Sequence, residues 1–263
     1  EQYNTSHHDI GFIIGCSFLN GIRMGNREEY KPVVIQAAKS LSARFRPNAS
    51  IIQSWNVDKG RPLKMGWKCP VIIDNLMNLE LLFEATRLSG DSTYHNIAVS
   101  HADKTLRNHF REDGSSYHVV DYNPETGKVL KRCTAQGYSD ESAWARGQAW
   151  AIYGYTMCYR YTHSPAYLNQ AKKVYEFIFT NSNLPEDLIP YWDFDALNIP
   201  NELRDASAAA ITASALYELS IFSNNKEYKD TADKIMKTLS SPAYRAEIGK
   251  NHHFLLMHSV GSF

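Results

Sequence analysis

The sequence predicts an all-α protein in which inner helices are surrounded by outer helices, the arrangement called an α/α toroid. Three observations lead to this fold class. Helical segments occur in pairs, and the first members of successive pairs begin roughly 65 residues apart, which indicates a structural repeat. Short polar links join the two members of each pair, so the two helices must run antiparallel. The two members of each pair also differ in polarity.

Four helix pairs make up the predicted repeat. Their ranges are 9–24 with 28–46, 72–89 with 91–110, 141–161 with 165–182, and 205–222 with 225–240. Glycine, asparagine and small polar residues indicate a tight turn at each link: Gly25-Asn26, Gly90-Asp91, Thr162-His163-Ser164 and Ser223-Asn224-Asn225. Each pair is therefore expected to form a helical hairpin.

Polarity separates the inner helices from the outer ones. First members are apolar on most faces, as in Ile10–Ile14 and Ala208–Ile211, whereas second members carry a charged face, as in Lys229, Asp230 and Lys234. A helix that is apolar all round is buried, and a helix with one polar face lies at the surface. The alternative to a toroid is a linear solenoid, whose period is usually shorter, about 34–47 residues.

A small β-hairpin is predicted within the third repeat, on the loop side of the toroid. Ser116–Tyr122 and Lys128–Arg132 have strand character, and the intervening Asn123–Gly127 has turn character. We therefore expect a hairpin over 116–132 within a single domain that spans residues 1–263.

Composition excludes several classes of protein. The 28 Lys and Arg residues balance 28 Asp and Glu residues, whereas nucleic-acid binders and polybasic membrane-surface proteins carry a basic excess. No apolar run reaches the roughly 18–20 residues that a membrane helix needs. Four widely spaced cysteines show no metal-ligand spacing and are expected to be buried or half-buried thiols. The N-terminus does not fix the compartment; a bacterial periplasmic location is expected, with a cytoplasmic one as the alternative.

Polar residues gather where the predicted inner helices begin. An aspartate stands at each start: Asp9, Asp74, Asp140 and Asp205. Helix capping explains these aspartates, because a carboxylate accepts hydrogen bonds from the free N–H groups. Capping does not explain the polar and aromatic residues near them: His8, Asn75, Arg146, Gln148 and Trp150. If the inner helices start at one mouth, these residues form a cavity for a polar, ring-shaped ligand.

Asp74 and Asp9 are the candidate acid–base pair. Asp74 follows Val71-Ile72-Ile73, and apolar surroundings favour the protonated form of a carboxyl group, which a general acid requires. Asp9 is the expected partner carboxylate, and His8 could orient it. The alternative is that His8 has a structural role only.

The segment Ser142–Trp150 is the densest cluster of candidate binding residues. Arg146 and Trp150 lie four residues apart and share a helix face. A guanidinium group suits a carboxylate, and an indole ring suits the apolar side of a sugar. The alternative is an Arg146 buried by pairing with Asp140 or Glu141. Since no metal motif, phosphate loop or nucleophile elbow is present in the sequence, neither a metal nor a cofactor is expected.

Several ordered motifs resemble those of glycoside hydrolase family 88, the unsaturated glucuronyl hydrolases. They are His8–Phe12, Ile72–Leu79, Gln136–Ser142, Trp144–Trp150, Pro190–Asp195 and Arg204–Ala209. The resemblance extends through nearly the whole chain. It implies an (α/α)6 barrel, in agreement with the repeat. A complete barrel has twelve helices, whereas the sequence indicates eight or nine, and family members extend beyond both ends of this chain, so we expect a partial barrel.

The resemblance also implies the chemistry. Family members act on oligosaccharides that carry a 4,5-unsaturated uronic acid at the non-reducing end. Asp74 matches the main acid/base and Asp9 the second catalytic aspartate. The substrate-binding positions match His8, Trp55, His118, Gln136, Arg146 and Trp150.

The expected reaction is hydration of the C4=C5 enol ether, with Asp74 as the proton donor. The expected partner is an unsaturated uronate oligosaccharide from a glycosaminoglycan or a similar polymer. Two alternatives remain: a hydrolase for unsaturated galacturonyl–rhamnose products of pectin, and a carbohydrate-binding toroid without activity. The sequence leaves the oligomeric state open.

Overall fold

A computed structural model describes residues 1–261 of the chain. Ser262, which belongs to the stretch that follows His258, lies outside the described residues, as does Phe263. The chain divides into two compact units. The first contains Glu1–His109 and Val119–Arg132, and the second contains residues 110–118 and the described residues from 133 onwards.

The first unit contains the first two predicted helix pairs. Its α-helices are α1 (Ile10–Ile14), α2 (Asn20–Gly25), α3 (Lys31–Ser42), α4 (Gly60–Lys64), α5 (Leu79–Ser89) and α6 (Ser92–Asn108). A π-helical turn, Gly15–Leu19, makes α1 and α2 continuous, and 3₁₀ turns at Glu28–Tyr30 and Ile73–Asn78 precede α3 and α5. Helix α5 packs against α1, α3 and α6. The paired arrangement predicted for this half of the sequence is confirmed.

The second unit contains the other two pairs. Its α-helices are α7 (Ala145–Thr162), α8 (Pro165–Thr180), α9 (Ala206–Ser223) and α10 (Lys226–Leu239), and a 3₁₀ turn follows at Asn251–His253. Helix α7 packs against α8 and α9, and α9 packs against α10. The buried residues of α10 recur every three or four positions: Tyr228, Ala232, Ile235 and Leu239. This one-sided burial is the pattern expected of an outer helix.

The predicted tight turns form at the four links. The residue after each inner helix adopts the left-handed conformation, with φ of 49° at Asn26, 78° at Gly90, 53° at His163 and 47° at Asn224. Glycine and asparagine reach this region most easily, and a left-handed residue ends a helix by redirecting the chain. The second helix of each pair can therefore begin within a few residues.

Two small antiparallel sheets accompany the helices. Strands β1 (Phe45–Arg46) and β2 (Ile51–Ile52) pair with each other. Strands β3 (Pro70–Ile72), β4 (Val119–Tyr122) and β5 (Val129–Cys133) form the second sheet in that order. In its register, Val71 lies opposite Val120. The predicted hairpin is confirmed, although its first strand begins at Val119 rather than at residue 116.

Two predicted helix starts are wrong. The apolar run Val71–Ile73 forms β3 and the beginning of a 3₁₀ turn, so α5 begins at Leu79 and not at residue 72. A short run of branched apolar residues suits a fully buried strand as well as a helix, and periodicity cannot distinguish them. Helix α7 begins at Ala145 instead of 141. Asp74 and Asp140 therefore both lie before an α-helix rather than at its first turn.

Neither the length nor the apolar character of any described helix is sufficient for a membrane span. Three of the cysteines, Cys69, Cys133 and Cys158, are buried, and Cys16 is exposed; all four are thiols. The expectation of a buried or half-buried thiol is therefore confirmed at three positions and wrong at Cys16.

Two buried histidines attach α6 to the strands of the first unit. The backbone N–H of Ile52, in β2, donates to His101 Nδ1 at 2.9 Å. His109 Nε2 lies 3.2 Å from the carbonyl oxygen of Val71, in β3, and donates to it. Burial lowers the pKa of His101 to about 3 and that of His109 to about 4. Both rings are therefore neutral in the folded protein near neutral pH.

The neutral His101 makes stability dependent on pH. The ordinary pKa of histidine is 6.5. Below this pH, His101 binds a proton in the unfolded chain but not in the folded chain. The free energy of unfolding therefore decreases as the pH falls. One such proton contributes a slope of about 1.4 kcal/mol per pH unit over the range between the two pKa values. We predict that His101→Asn, which keeps an acceptor for Ile52, reduces the slope by about this amount between about pH 4 and 6. Urea unfolding at several pH values measures it.

The matched control is His163→Asn. His163 is exposed and occupies a left-handed position that asparagine also favours. Its substitution should leave the pH slope unchanged. If His101→Asn retained the full slope, the buried neutral ring of His101 would not be its source.

Candidate functional site

Asp74 is placed by a strand followed by a 3₁₀ turn. Strand β3 ends at Ile72, and the turn begins at the next residue. The aspartate side chain is 7% exposed, and its neighbours Asn75 and Asn78 are fully buried. A carboxyl group removed from water is stabilised in its protonated form. The expected burial of Asp74 is therefore present, although the element that carries it is not the predicted helix.

Asp9 precedes α1, but capping does not account for it. Among the described residues, its carboxylate accepts no capping hydrogen bond from α1. Its oxygens lie 3.3 Å from His8 Nε2 and 3.5 Å from His7 Nδ1, and its side chain is 45% exposed. At Asp205 the capping explanation holds, because the carboxylate accepts from the backbone N–H groups of Ser207 and Ala208 at the start of α9. The Asp205 carboxylate therefore has a structural role as a helix cap, whereas the Asp9 carboxylate does not cap its helix.

His8 links the segments that carry the two aspartates. The ring is fully buried. Its Nδ1 lies 3.1 Å from Asn75 Oδ1 and 3.0 Å from Asn78 Nδ2. Its Nε2 lies 3.3 Å from Asp9 Oδ1. Burial lowers the pKa of His8 to about 4, so the ring is neutral near neutral pH. Because Asn75 follows Asp74 directly, the His8 ring lies between the Asp9 carboxylate and the turn that holds Asp74.

A glycine allows the two segments to approach each other. The backbone N–H of Phe12 donates to Asn78 Oδ1 at 2.8 Å. A β-carbon at Gly11 would lie 2.6 Å from the Asn78 β-carbon, closer than side chains approach in proteins. The glycine of the His8–Phe12 motif is therefore required by the Asn78 contact.

Trp55 lies beside the same histidine. Its ring is edge-on to His8, with centroids 6.5 Å apart, and stacks on Trp67 at 5.9 Å. The guanidinium of Arg44 donates to the carbonyls of Thr5 and Gln53, and to Asn56 Oδ1 at 3.0 Å. Arg44 thereby joins the segment before His8 to the segment around Trp55. The sequence analysis did not identify Trp67 or Arg44, since neither belongs to a recognised motif.

In the second unit, His118 is held in one tautomer. The ring is buried, and its Nδ1 accepts from the backbone N–H groups of Ala135 and Gln136, both at 3.1 Å. Since backbone amides only donate, Nδ1 is unprotonated and the neutral ring carries its hydrogen on Nε2. The Trp144 ring packs against it at 4.5 Å. His118 therefore presents an N–H donor.

Buried Asp193 fixes the loop that contains Gln136. The carboxylate accepts hydrogen bonds from Tyr138 N, from Ser142 Oγ and from Asp195 N, at 2.8 to 2.9 Å. Burial raises its pKa. Asp193 belongs to the motif Pro190–Asp195. Its hydrogen bonds in the folded structure show that it positions the loop that contains Gln136.

Arg146 and Gln136 converge on one oxygen atom. Gln136 Nε2 donates to the carbonyl of Gly261 at 2.7 Å, and Arg146 Nη2 donates to the same oxygen at 3.1 Å. Arg146 Nη1 also contacts Asp205, Ser207 and the carbonyl of Val260. The sequence left open that Arg146 is buried in an ion pair with Asp140 or Glu141. Arg146 does form such an ion pair, but its partner is Asp205. Glu141 lies 3.8 Å from Arg111 instead. The convergent donors are suited to an oxygen-rich group such as a carboxylate.

Trp150 follows Arg146 by one turn of α7. Its ring is largely buried and meets Tyr153 edge-on at 5.7 Å. The structure thus groups the predicted residues within each unit: His8, Asp9, Trp55 and Asp74 in the first, and His118, Gln136, Arg146 and Trp150 in the second. Over residues 1–261, no cluster of three or more histidine, cysteine or acidic side chains could hold a metal ion.

Comparisons with known proteins give a consistent result. The model of the family described as Glycosyl Hydrolase Family 88 matches residues 12–256. The chain is 48% identical, over its whole length, to the unsaturated glucuronyl hydrolase of Formosa agariphila, and it spans 65% of that protein.

Solved structures show the same relationship. The crystal structure of an unsaturated glucuronyl hydrolase specific for heparin is 45% identical with a TM-score of 0.94, over 99% of this chain and 69% of that one. An Asp-to-Asn variant of an unsaturated glucuronyl hydrolase, with dGlcA-Glc-Rha-Glc, is 34% identical with a TM-score of 0.89, over 98% and 68% of the two chains. The predicted (α/α)6 fold class is confirmed by these similarities.

The Arg146–Asp205 pair predicts a large stability effect. Asp205 is fully buried and the Arg146 side chain is 16% exposed, so Arg146→Ala leaves a buried charge without its partner. We expect a loss of about 3–5 kcal/mol in the free energy of unfolding, measured by urea denaturation. The matched control is Arg160→Ala, since Arg160 also joins α7 to α9, through Glu218, but in a more exposed pair. That change should cost about 1 kcal/mol or less. Equal losses would mean that burial does not set the cost.

Proposed function

Because the chain belongs to glycosyl hydrolase family 88, we propose that the protein removes a 4,5-unsaturated uronic acid from the non-reducing end of lyase-generated oligosaccharides. The family match over residues 12–256 and the 48% identity to an unsaturated glucuronyl hydrolase support this activity. The observation that carries it is the placement of Asp9 beside the His8 ring, whose other edge contacts Asn75, next to buried Asp74. It supplies two carboxyl groups in different environments, as acid–base chemistry requires.

The proposed reaction begins with protonation of the substrate. The C4=C5 bond is conjugated to the ring oxygen as an enol ether, so its electron pair takes a proton at C4. Asp74 donates that proton, and positive charge develops at C5 and the ring oxygen. Water then adds to C5 and gives its proton to the Asp74 carboxylate, which restores the acid. The C5 hemiketal opens, and the resulting hemiacetal at C1 releases the leaving sugar as an alcohol.

The other residues have supporting roles in this proposal. The Asp9 carboxylate stabilises the positive charge that develops in the transition state. Arg146 and Gln136 bind the substrate carboxylate with convergent donors, and His118 offers its Nε2–H. Trp55 and Trp150 provide apolar surfaces for sugar rings.

Glycosaminoglycan fragments are the proposed substrate class. The structurally similar enzyme with a TM-score of 0.94 is specific for heparin, and another similar protein was solved with dGlcA-Glc-Rha-Glc. We propose heparin-derived disaccharides as the first to test.

The activity is tested with pairs of substrates that differ only at C4 and C5. Unsaturated disaccharides from heparin, hyaluronan, chondroitin and pectin should lose the ultraviolet absorbance of the conjugated double bond, whereas the saturated counterparts should remain intact because they contain no enol ether. Cleavage of the saturated compounds would indicate ordinary glycoside hydrolysis. Binding of all of them without reaction would indicate a carbohydrate-binding protein.

Asp74→Asn gives the sharpest prediction for the mechanism. The amide keeps the size of the carboxyl group but cannot donate an acidic proton. Turnover of the unsaturated disaccharide should fall by at least about 10²-fold, while folding and substrate binding are retained. Steady-state kinetics and binding calorimetry measure the two effects. Asp91→Asn is the matched control, because Asp91 caps α6 and asparagine caps equally well. A fully active Asp74→Asn variant would remove Asp74 from the reaction.

A further inference from the structure

We infer that Ser54 is a positioning residue that sets the spacing between Asp9 and Asp74. Ser54 is fully buried in the first unit. Each of its three polar groups bonds to a chain segment that leads into one of the two aspartates. The role of Ser54 in the reaction rests on the proposed function, in which both aspartates act on the substrate, whereas its hydrogen bonds do not depend on that function.

The carbonyl of Ser54 holds the segment that leads into Asp9. It accepts a hydrogen bond from the backbone N–H of His8 at 3.2 Å. The neighbouring residues His7 and Trp55 form an antiparallel bridge. Because His8 directly precedes Asp9, the position of the Asp9 backbone is set one residue away from a bond to Ser54.

The other two polar groups of Ser54 hold strand β3, which leads into Asp74. The N–H of Ser54 donates to the carbonyl of Pro70 at 2.9 Å. The hydroxyl oxygen accepts from the backbone N–H of Ile72 at 3.0 Å. Pro70 and Ile72 are the first and last residues of β3. Since Asp74 follows Ile72 by two residues, one residue is bonded to the approach to both aspartates.

The hydroxyl is required because the carbonyl of Ser54 is directed to His8. In a parallel ladder, the N–H and the carbonyl of one residue bond to two residues that lie two positions apart on the neighbouring strand. The N–H of Ser54 follows this pattern, and the hydroxyl replaces the carbonyl as the acceptor for Ile72. Ile72 is buried, and a buried N–H without an acceptor is costly. An alanine at position 54 would leave it without this acceptor.

Other contacts hold the same segments together more loosely. Arg44 is buried and donates to the carbonyls of Thr5 and Gln53, and the His8 ring contacts Asn75. Loss of the Ser54 hydroxyl should therefore displace the segment before Asp9 relative to β3 without unfolding the unit. Such a displacement affects catalysis, because a misplacement of about 1 Å can lower a rate about 10²-fold.

Amide hydrogen exchange tests these contacts in the absence of substrate. Ser54→Ala removes the acceptor for Ile72, so the Ile72 amide should exchange at least about tenfold faster than in the wild-type chain. The His8 amide should also exchange faster, because Ser54 holds both segments. Amides of α9, in the second unit, should keep their rates. An unchanged rate at Ile72 or at His8 would overturn the inference.

Kinetics test the positioning role. For Ser54→Ala, kcat on an unsaturated disaccharide, counted per folded molecule, should fall at least about tenfold. KM should change little, because Arg146 and Gln136, the proposed binding residues for the carboxylate, belong to the second unit. A lower unfolding midpoint with an unchanged kcat per folded molecule would mean that Ser54 supports the fold alone, which would overturn the inference.

Further variants separate the hydroxyl from the volume of the side chain. Ser54→Thr retains the hydroxyl and should recover most of the rate that Ser54→Ala loses. The matched control is Ser42→Ala in α3, since the buried Ser42 hydroxyl makes no hydrogen bond within residues 1–261; it should change neither kcat nor exchange. If Ser54→Ala does not fold, Ser54→Cys takes its place, because sulfur is a weaker acceptor. Native exchange and kcat in Ser54→Cys would then overturn the inference.

The two proposals can fail separately. If the wild-type chain consumes no unsaturated disaccharide but Ser54→Ala accelerates exchange at both Ile72 and His8, the proposed function fails and the spacing role of Ser54 stands. If the wild-type chain is active and Ser54→Ala keeps the wild-type kcat per folded molecule, the positioning role fails alone.

Discussion

The buried hydrogen-bond cluster around His8 is the constraint on which the first unit depends. The imidazole of His8 contacts two asparagines of one turn, which lie 67 and 70 residues further along the chain. A buried polar group without partners is costly, so the start of α1 and the turn before α5 must meet in one register. That register places Asp9 at one edge of the ring and Asp74 beside Asn75 at the other.

The second unit uses buried carboxylates for the same purpose. Asp193 gathers the loop that carries Gln136, and Asp205 both caps α9 and pairs with Arg146. Each of these carboxylates accepts several hydrogen bonds, and such networks hold one geometry because partial satisfaction is worse than none. Aspartates that look alike in the sequence thus divide into two classes. Asp193 and Asp205 build the protein, whereas Asp9 and Asp74 are proposed to act on substrate.

Much of the fold could be predicted because helix periodicity and turn chemistry are local. The helices α6, α8, α9 and α10 begin and end within two residues of their predicted bounds, since polar turns and left-handed residues stop them. Strand β3 was missed because Val71–Ile73 is apolar throughout and has no period. Its identity as a strand comes from pairing with β4, about fifty residues away. The same pairing moved Asp74 out of the predicted helix and into a 3₁₀ turn.

By itself, the sequence determined the paired-helix architecture, the family and the identity of the candidate residues, because these depend on composition, period and the order of motifs. The tertiary structure alone decided what those residues contact. It showed that Asp9 is not a cap, that Arg146 pairs with Asp205, and that two asparagines of one turn contact the His8 ring. The physical reason is that hydrogen-bond partners are chosen by distance and direction in space. When two residues lie far apart along the chain, the local sequence around each of them does not predict their contact.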